Sequence, residues 1–414
     1  MQKTSWAAVG IAIFSGMVAA AAIGKVPPAL PAVRDQLGLT MIEAGWVMST
    51  FATLGGCCAL FFGGASARIG ELRLALLGLA MMVLGALLGA FAHSYTLLLV
   101  SRVLEGSGFI AVVVTLPSLI TRSTAPRDYR LALGLWSIYL PFGSSIAMLT
   151  APFMLPALGW RGLWLVIAGA ALACATLLYR MRQRFVAPAS AAVRPASGVI
   201  ILETLRSPGA WCLTAAFFTY TLQWFTLMVW LPSFLVEHRG LSVSLAGALT
   251  AGVVAANVPG NILGGWLVHR DIRRGTLICA TSLFMLACAF GIFDERLPDA
   301  LRYGLCLLFT SVGGILPAAA FSGLTAHAPS PRHIGAVNGL LVQGSNLGQF
   351  VGPPAIAAVV TAGGGDWGAA TGLMAGAAVA GVAAGLLLVI ERTPPDTRQA
   401  PVEHAVAEGG GSGC

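Results

Sequence analysis

Arg102 and Glu105 stand three residues apart inside the apolar run LLLVSRVLEGSGFIAVVVTLPSLIT, which covers 97–121. On a helix, that spacing puts both side chains on one face, where they can neutralise each other. A lone charge at bilayer depth costs about 3 kcal/mol on insertion scales, so such a residue is a functional candidate by default. Two readings follow. Glu105 can be a proton acceptor, with Arg102 as its counter-charge until solute or helix movement separates them. Alternatively the two form a permanent pair that pins the helix, and losing one partner strands the other. Lys25, the only lysine after Lys3, closes the first apolar run just before Pro27 and Pro28. It either attracts an anionic solute into a central cavity or snorkels to the outer interface along its four-carbon stem. Trp136, Tyr139, Tyr220, Gln223, Trp224, Asn257, Asn261, Gln343 and Asn346 also fall within apolar runs. They can line such a cavity, or they can be interhelical hydrogen bonds worth about 0.6 kcal/mol each. The sequence contains no glycine-rich phosphate loop with lysine, no paired-histidine metal spacing and no Gly-x-Ser-x-Gly turn. An enzyme, an ATP-driven pump, a cofactor and a metal are therefore not expected.

These residues need long apolar elements to hold them, and composition supplies them. The 414 residues are 57% hydrophobic and 10% charged, against about 25% charged in soluble domains. A spanning helix needs about 20 apolar residues. Spans are expected near 6–30, 42–65, 74–93, 97–121, 131–153, 161–179, 210–236, 243–268, 275–293, 300–324, 335–361 and 368–390. With the N-terminus inside, 17 of the 24 basic residues fall on cytoplasmic segments, five fall outside, and Lys25 and Arg102 lie within spans. That asymmetry predicts cytoplasmic termini. The net charge of +8 is thus a topology signal and not a nucleic-acid surface. Seven of the eight cysteines lie inside apolar runs as small core residues, and Cys414 ends the chain. The organisation expected is a six-helix bundle over 1–179, a cytoplasmic linker over 180–207, a second six-helix bundle over 208–392 and a flexible tail over 393–414.

The two bundles echo each other. Pro126-Arg127, Gly134-Leu135 and Ala151-Pro152 return as Pro331-Arg332, Gly339-Leu340 and Gly352-Pro353, offset by 205, 205 and 201 residues. Gly63, Ala67 and Arg68 on the joint after the second span, which Gly70 closes, return 202 residues later as Gly265, His269 and Arg270 after the eighth. Parallel six-helix repeats with a solute site between them are a transporter architecture.

In those joints, and in Arg102-x-x-Glu105-Gly106-x-Gly108, the chain resembles the major facilitator superfamily over nearly its whole length. Leu116-Pro117-Ser118, Gly134-Leu135-Trp136-Ser137 and Trp230-Leu231-Pro232-Ser233-Phe234 are similar to its bacterial cyanate and nitroimidazole transporter group. The resemblance implies an all-α fold of twelve transmembrane helices in two parallel six-helix pseudo-repeats, with both joints acting as a conformational gate. The acid of the joint signature is Ala67 in one copy and His269 in the other, which leaves the implied charge relay incomplete. The fifth span also lacks the Gly-Pro-x-x-Gly-Gly signature of drug antiporters. The expectation is a monomeric secondary transporter of a bacterial inner membrane that moves a small anion, coupled to protons, by alternating access. A drug or metabolite exporter and a solute receptor that moves nothing are the alternatives.

Overall fold

The computed structural model describes residues 4–57, 69–128, 132, 135–136, 138–185, 198–329 and 333–390. The chain begins with α1 (Trp6–Gly24), α2 (Val26–Leu37), α3 (Met41–Ser49), α4 (Glu71–Ala90), α5 (Tyr95–Arg122) and α6 (Tyr139–Arg180). A short α7 (Gly198–Leu205) leads into α8 (Pro208–Glu237), α9 (Val243–Ala255), α10 (Asn257–His269) and α11 (Arg274–Phe293). Then come α12 (Asp299–Gly313), α13 (Ile315–Ser322), α14 (Leu324–His327), α15 (Ile334–Ala362) and α16 (Ala370–Ile390).

Local signals set the ends. Thr40 and Glu43 make a reciprocal capping box at the start of α3. Ser94, Ser207 and Ser242 accept from the backbone amides of Leu97, Ala210 and Leu245 to open α5, α8 and α9. Gly38, at φ 64°, closes α2. Gly159, at φ 63° and ψ 177°, breaks α6 into arms 139–158 and 160–180. The fifth and sixth expected spans are therefore the two arms of one run.

Among the described residues, nine stretches are long and apolar enough to cross a membrane. Tyr139–Arg180 counts once in that number and holds two expected spans. The second span runs on into residues outside the described set. The eleventh, α15, has 29 residues but is interrupted by Gln343, Asn346 and Gln349. The 28 residues of α5 reach roughly 42 Å at 1.5 Å per residue, more than a bilayer core requires. Phe153 is 72% exposed and Ile262 66%, exposures that suit lipid and not water.

Most helices up to α6 pack chiefly against one another, as do most from α7 onward, but α3 packs mainly on α15 and α9 mainly on α6. Tight approaches need glycine. A Cβ on Gly106 would run into the backbone carbonyl of Phe51, and one on Gly260 into that of Ser311. The first set gathers its ends at a face carrying Ser5, Ser123 and Arg184, where Ser5 donates to the Ser123 carbonyl at 2.9 Å. The opposite face carries Leu37, where the Trp160 indole donates to Gln36 at 2.8 Å.

Contacts between the sets come from the Leu37 side. Arg34 pairs with Glu237 at 2.6 Å. Trp46 meets Phe350 edge-on at 5.2 Å, and the Ser145 hydroxyl donates to the Ala251 carbonyl at 3.3 Å. Pro354 lies against Gly45, and Pro152 against Gly247. The described part of the 180–207 segment is helical at α7, while 186–197 and the tail 393–414 lie outside the described residues.

Candidate functional site

Three charges meet inside the first set. Glu105 accepts from Lys25 on one carboxylate oxygen and from Arg102 on the other. All three are buried, with Lys25 2% exposed and Arg102 and Glu105 at 0%. Lys25 therefore does not snorkel. Its stem ends in an ion pair and its ammonium lies 4.3 Å from the centroid of the Trp164 ring.

Arg102 is held by the chain around it. It donates to the carbonyls of Ala22 at 3.1 Å and Val47 at 3.3 Å, and its guanidinium sits 4.6 Å over Phe51. Its Nη2 is buried without a hydrogen-bond partner among the described residues. The sequence explains how these elements come together. Lys25 marks the junction of α1 and α2 ahead of two prolines, which supply no amides to the preceding turn. Gly85 and Gly89, one turn apart on α4, make room for Glu105 and for the Trp164 ring. The cluster carries a net charge of +1, and the two cations occupy both oxygens of the one anion.

The polar groups of the second set include a neutral network. Asn257 donates to the Tyr220 hydroxyl at 2.8 Å and to the Thr310 carbonyl at 2.9 Å. Asn261 donates back to the Asn257 side chain at 2.7 Å. Tyr220 stacks with Trp224 at 6.5 Å. On the same helix, Gln223 donates to Thr219 at 3.0 Å, while its Oε1 and the Trp224 Nε1 are buried without hydrogen-bond partners among the described residues.

The other candidates separate. Trp136 and Tyr139 stack at 4.2 Å, with the Trp136 ring against Gly16 of α1. Asn346 lies against Gly55 and so reaches the other helix set, and Gln343 is half-buried on the same helix. Of the joint residues, Gly63 and Arg68 lie outside the described residues. Gly70, at φ 89°, opens α4, and the adjacent Glu71 pairs with Arg122 at 2.6 Å. In the second copy Gly265 and His269 are exposed, and Arg270 lies 4.7 Å over Trp266.

Arg302, at the start of the expected span 300–324, lies in the first turn of α12, 6% exposed, and donates to the Ile292 carbonyl at 2.8 Å. Asp299 beside it lets the arginine fold back into the bundle. Sequence reasoning missed Trp164 and Phe51, the rings under the two cations. Gly89 on α4 is the residue that makes room for the Trp164 ring.

A polytopic helical bundle with buried charges describes a class of membrane proteins, and comparison with known proteins narrows it. The profile described as Major Facilitator Superfamily matches residues 12–353 and, in a second match, 242–409. The chain belongs to that superfamily. Like its relatives, it is a multi-pass membrane transporter of small molecules and not an enzyme.

It is similar to a hexuronate transporter of Bacillus subtilis, 24% identical over 78% of this chain and 81% of the relative. It is similar to the cyanate transport protein CynX of Escherichia coli, 25% identical over 72% and 78%. It is also similar to a 2-nitroimidazole transporter of Escherichia coli, 24% identical over 82% and 84%. The fold matches a bacterial homologue of the human lysosomal transporter Spinster, in an inward-facing and occupied conformation, with TM-score 0.69 and 18% identity over 93% and 94% of the two chains.

Proposed function

We propose that this transporter moves a small organic or inorganic anion across the bacterial inner membrane, as a monomer, by proton-coupled alternating access. The observation that carries the reading is the buried Lys25–Glu105–Arg102 cluster, one anion between two cations. In a low-dielectric interior its surplus positive charge favours an anion nearby. Glu105 is the proton acceptor. Protonating it frees Lys25 and Arg102 and strengthens the field on the solute, and deprotonating it recaptures them. Solute and proton thereby act on the same three groups. The names of the hexuronate and cyanate relatives fit an anionic cargo.

In this reading residues 1–179 and 208–392 move as two bodies, with 180–207 as linker and 393–414 as tail. The Leu37 face is periplasmic, and the Ser5 face and both termini are cytoplasmic, as the arginine asymmetry requires. The contacts Arg34–Glu237 and Trp46–Phe350 then close the periplasmic side, so this conformation faces inward. Trp136, Tyr139, Gln343 and Asn346, together with Tyr220, Gln223, Trp224, Asn257 and Asn261, shape the solute site. Gly63, Arg68, Gly70, Gly265, His269 and Arg270 gate the cytoplasmic side.

Proteoliposome uptake of small carboxylates and cyanate, with and without an imposed pH gradient, tests the proposal. Accumulation driven by the gradient is expected. Gradient-independent uptake of neutral or cationic solutes only would refute it.

A further inference from the structure

A cavity of about 310 Å³ lies wholly among helices of the second set, towards the Leu37 face, and no residue of the Lys25 cluster borders it. Its volume is at the lower end of those that hold small organic ligands, and its wall is likewise mostly apolar with a few polar groups. Trp230, Phe234 and Trp367 pack edge-on around it, at 5.5 to 6.1 Å between the partners of Trp367.

One end is charged. Arg239 and Arg302 approach the same oxygen of Asp299, at 3.2 and 3.5 Å, and both guanidinium groups lie over Phe234, at 5.3 and 5.5 Å. Two cations thus share one carboxylate. The Arg302 side chain is 7% exposed while that of Asp299 is 68% exposed, so the positive charge faces the dry interior and its counter-charge faces outward. At the other end Thr226 is 3% exposed, and its hydroxyl has no hydrogen-bond partner among the described residues. Thr226 precedes Phe234 by eight residues on α8, roughly 12 Å at 1.5 Å per residue.

We propose that this cavity is a second binding site, for an apolar monocarboxylate of aryl-alkyl or medium-chain type. Its carboxylate joins Arg239 and Arg302, and its body runs along Trp230 and Phe234 towards Thr226. Because the lining belongs to one helix set, this ligand does not occupy the space between the sets and modulates transport without displacing the solute.

The test uses the full chain in lipid nanodiscs with Cys306, which lines the cavity, as its only cysteine. N-ethylmaleimide modification of Cys306 is followed by intact mass, with 4-phenylbutyrate or its uncharged amide as probe. The acid is expected to slow modification at least tenfold at millimolar concentration, and the amide to leave it nearly unchanged. Arg239→Gln should erase that difference. Asp299→Asn, which removes the competing carboxylate, should strengthen protection by the acid several-fold, a gain that misfolding cannot imitate. Equal protection by acid and amide would overturn the proposal, as would weaker protection in Asp299→Asn. Failure of maleimide to reach Cys306 without any probe would do so too.

Discussion

The two helix sets differ in their most connected polar networks. In the first, Lys25, Arg102 and Glu105 satisfy one another as ions, and each cation also lies over an aromatic ring. In the second, Tyr220, Asn257, Asn261 and Thr310 form a neutral network. Removing a buried charge leaves its partner uncompensated, whereas removing a neutral hydrogen bond in a membrane protein costs little. If the sets divide the work, the first senses protons and field, and the second supplies shape and directed hydrogen bonds.

Glu105→Gln is expected to have the largest effect on that contrast, because it leaves two cations buried side by side. A loss of about 3–5 kcal/mol is expected on the precedent of broken buried pairs, read as a large drop in melting temperature. Gly106→Ala comes next. Its new methyl meets the Phe51 carbonyl, and overpacking of this kind costs about 1–3 kcal/mol. Because Phe51 lies under Arg102, transport should fall along with stability. Tyr220→Phe removes one neutral bond and should cost about 0.6 kcal/mol, with pH-driven accumulation retained. A loss of accumulation there would erase the contrast between the sets. Arg34→Ala breaks a partly exposed pair worth about 0–1 kcal/mol. Its signature is a rise in labelling of a cysteine placed at Trp46 by a membrane-impermeant maleimide from the periplasmic side.

Local spacing made some of this legible in the sequence. Arg102 and Glu105, i and i+3 on one helix, pair as their positions require. The apolar runs lay where helices form. Partners far apart in sequence were not legible. Lys25 meets Glu105 across 80 positions, and nothing in either neighbourhood marks the other. Asn257 and Asn261 do share a face and bond to each other, but Asn257 also donates to Tyr220 and Thr310, which only packing brings near. The burial of Arg302 was not legible either, since the ring of Phe234 beneath it comes from a distant helix.

The central claim is that Glu105 carries the coupling proton. It is tested most directly by uptake into proteoliposomes, with and without an imposed pH gradient, by wild type and by the double variant Glu105→Gln, Lys25→Met. That variant keeps the net charge of the cluster at +1 and so guards folding. It is expected to exchange solute down the solute's own gradient and to lose accumulation driven by pH. A folded double variant that still concentrates solute in response to the pH gradient would contradict the account.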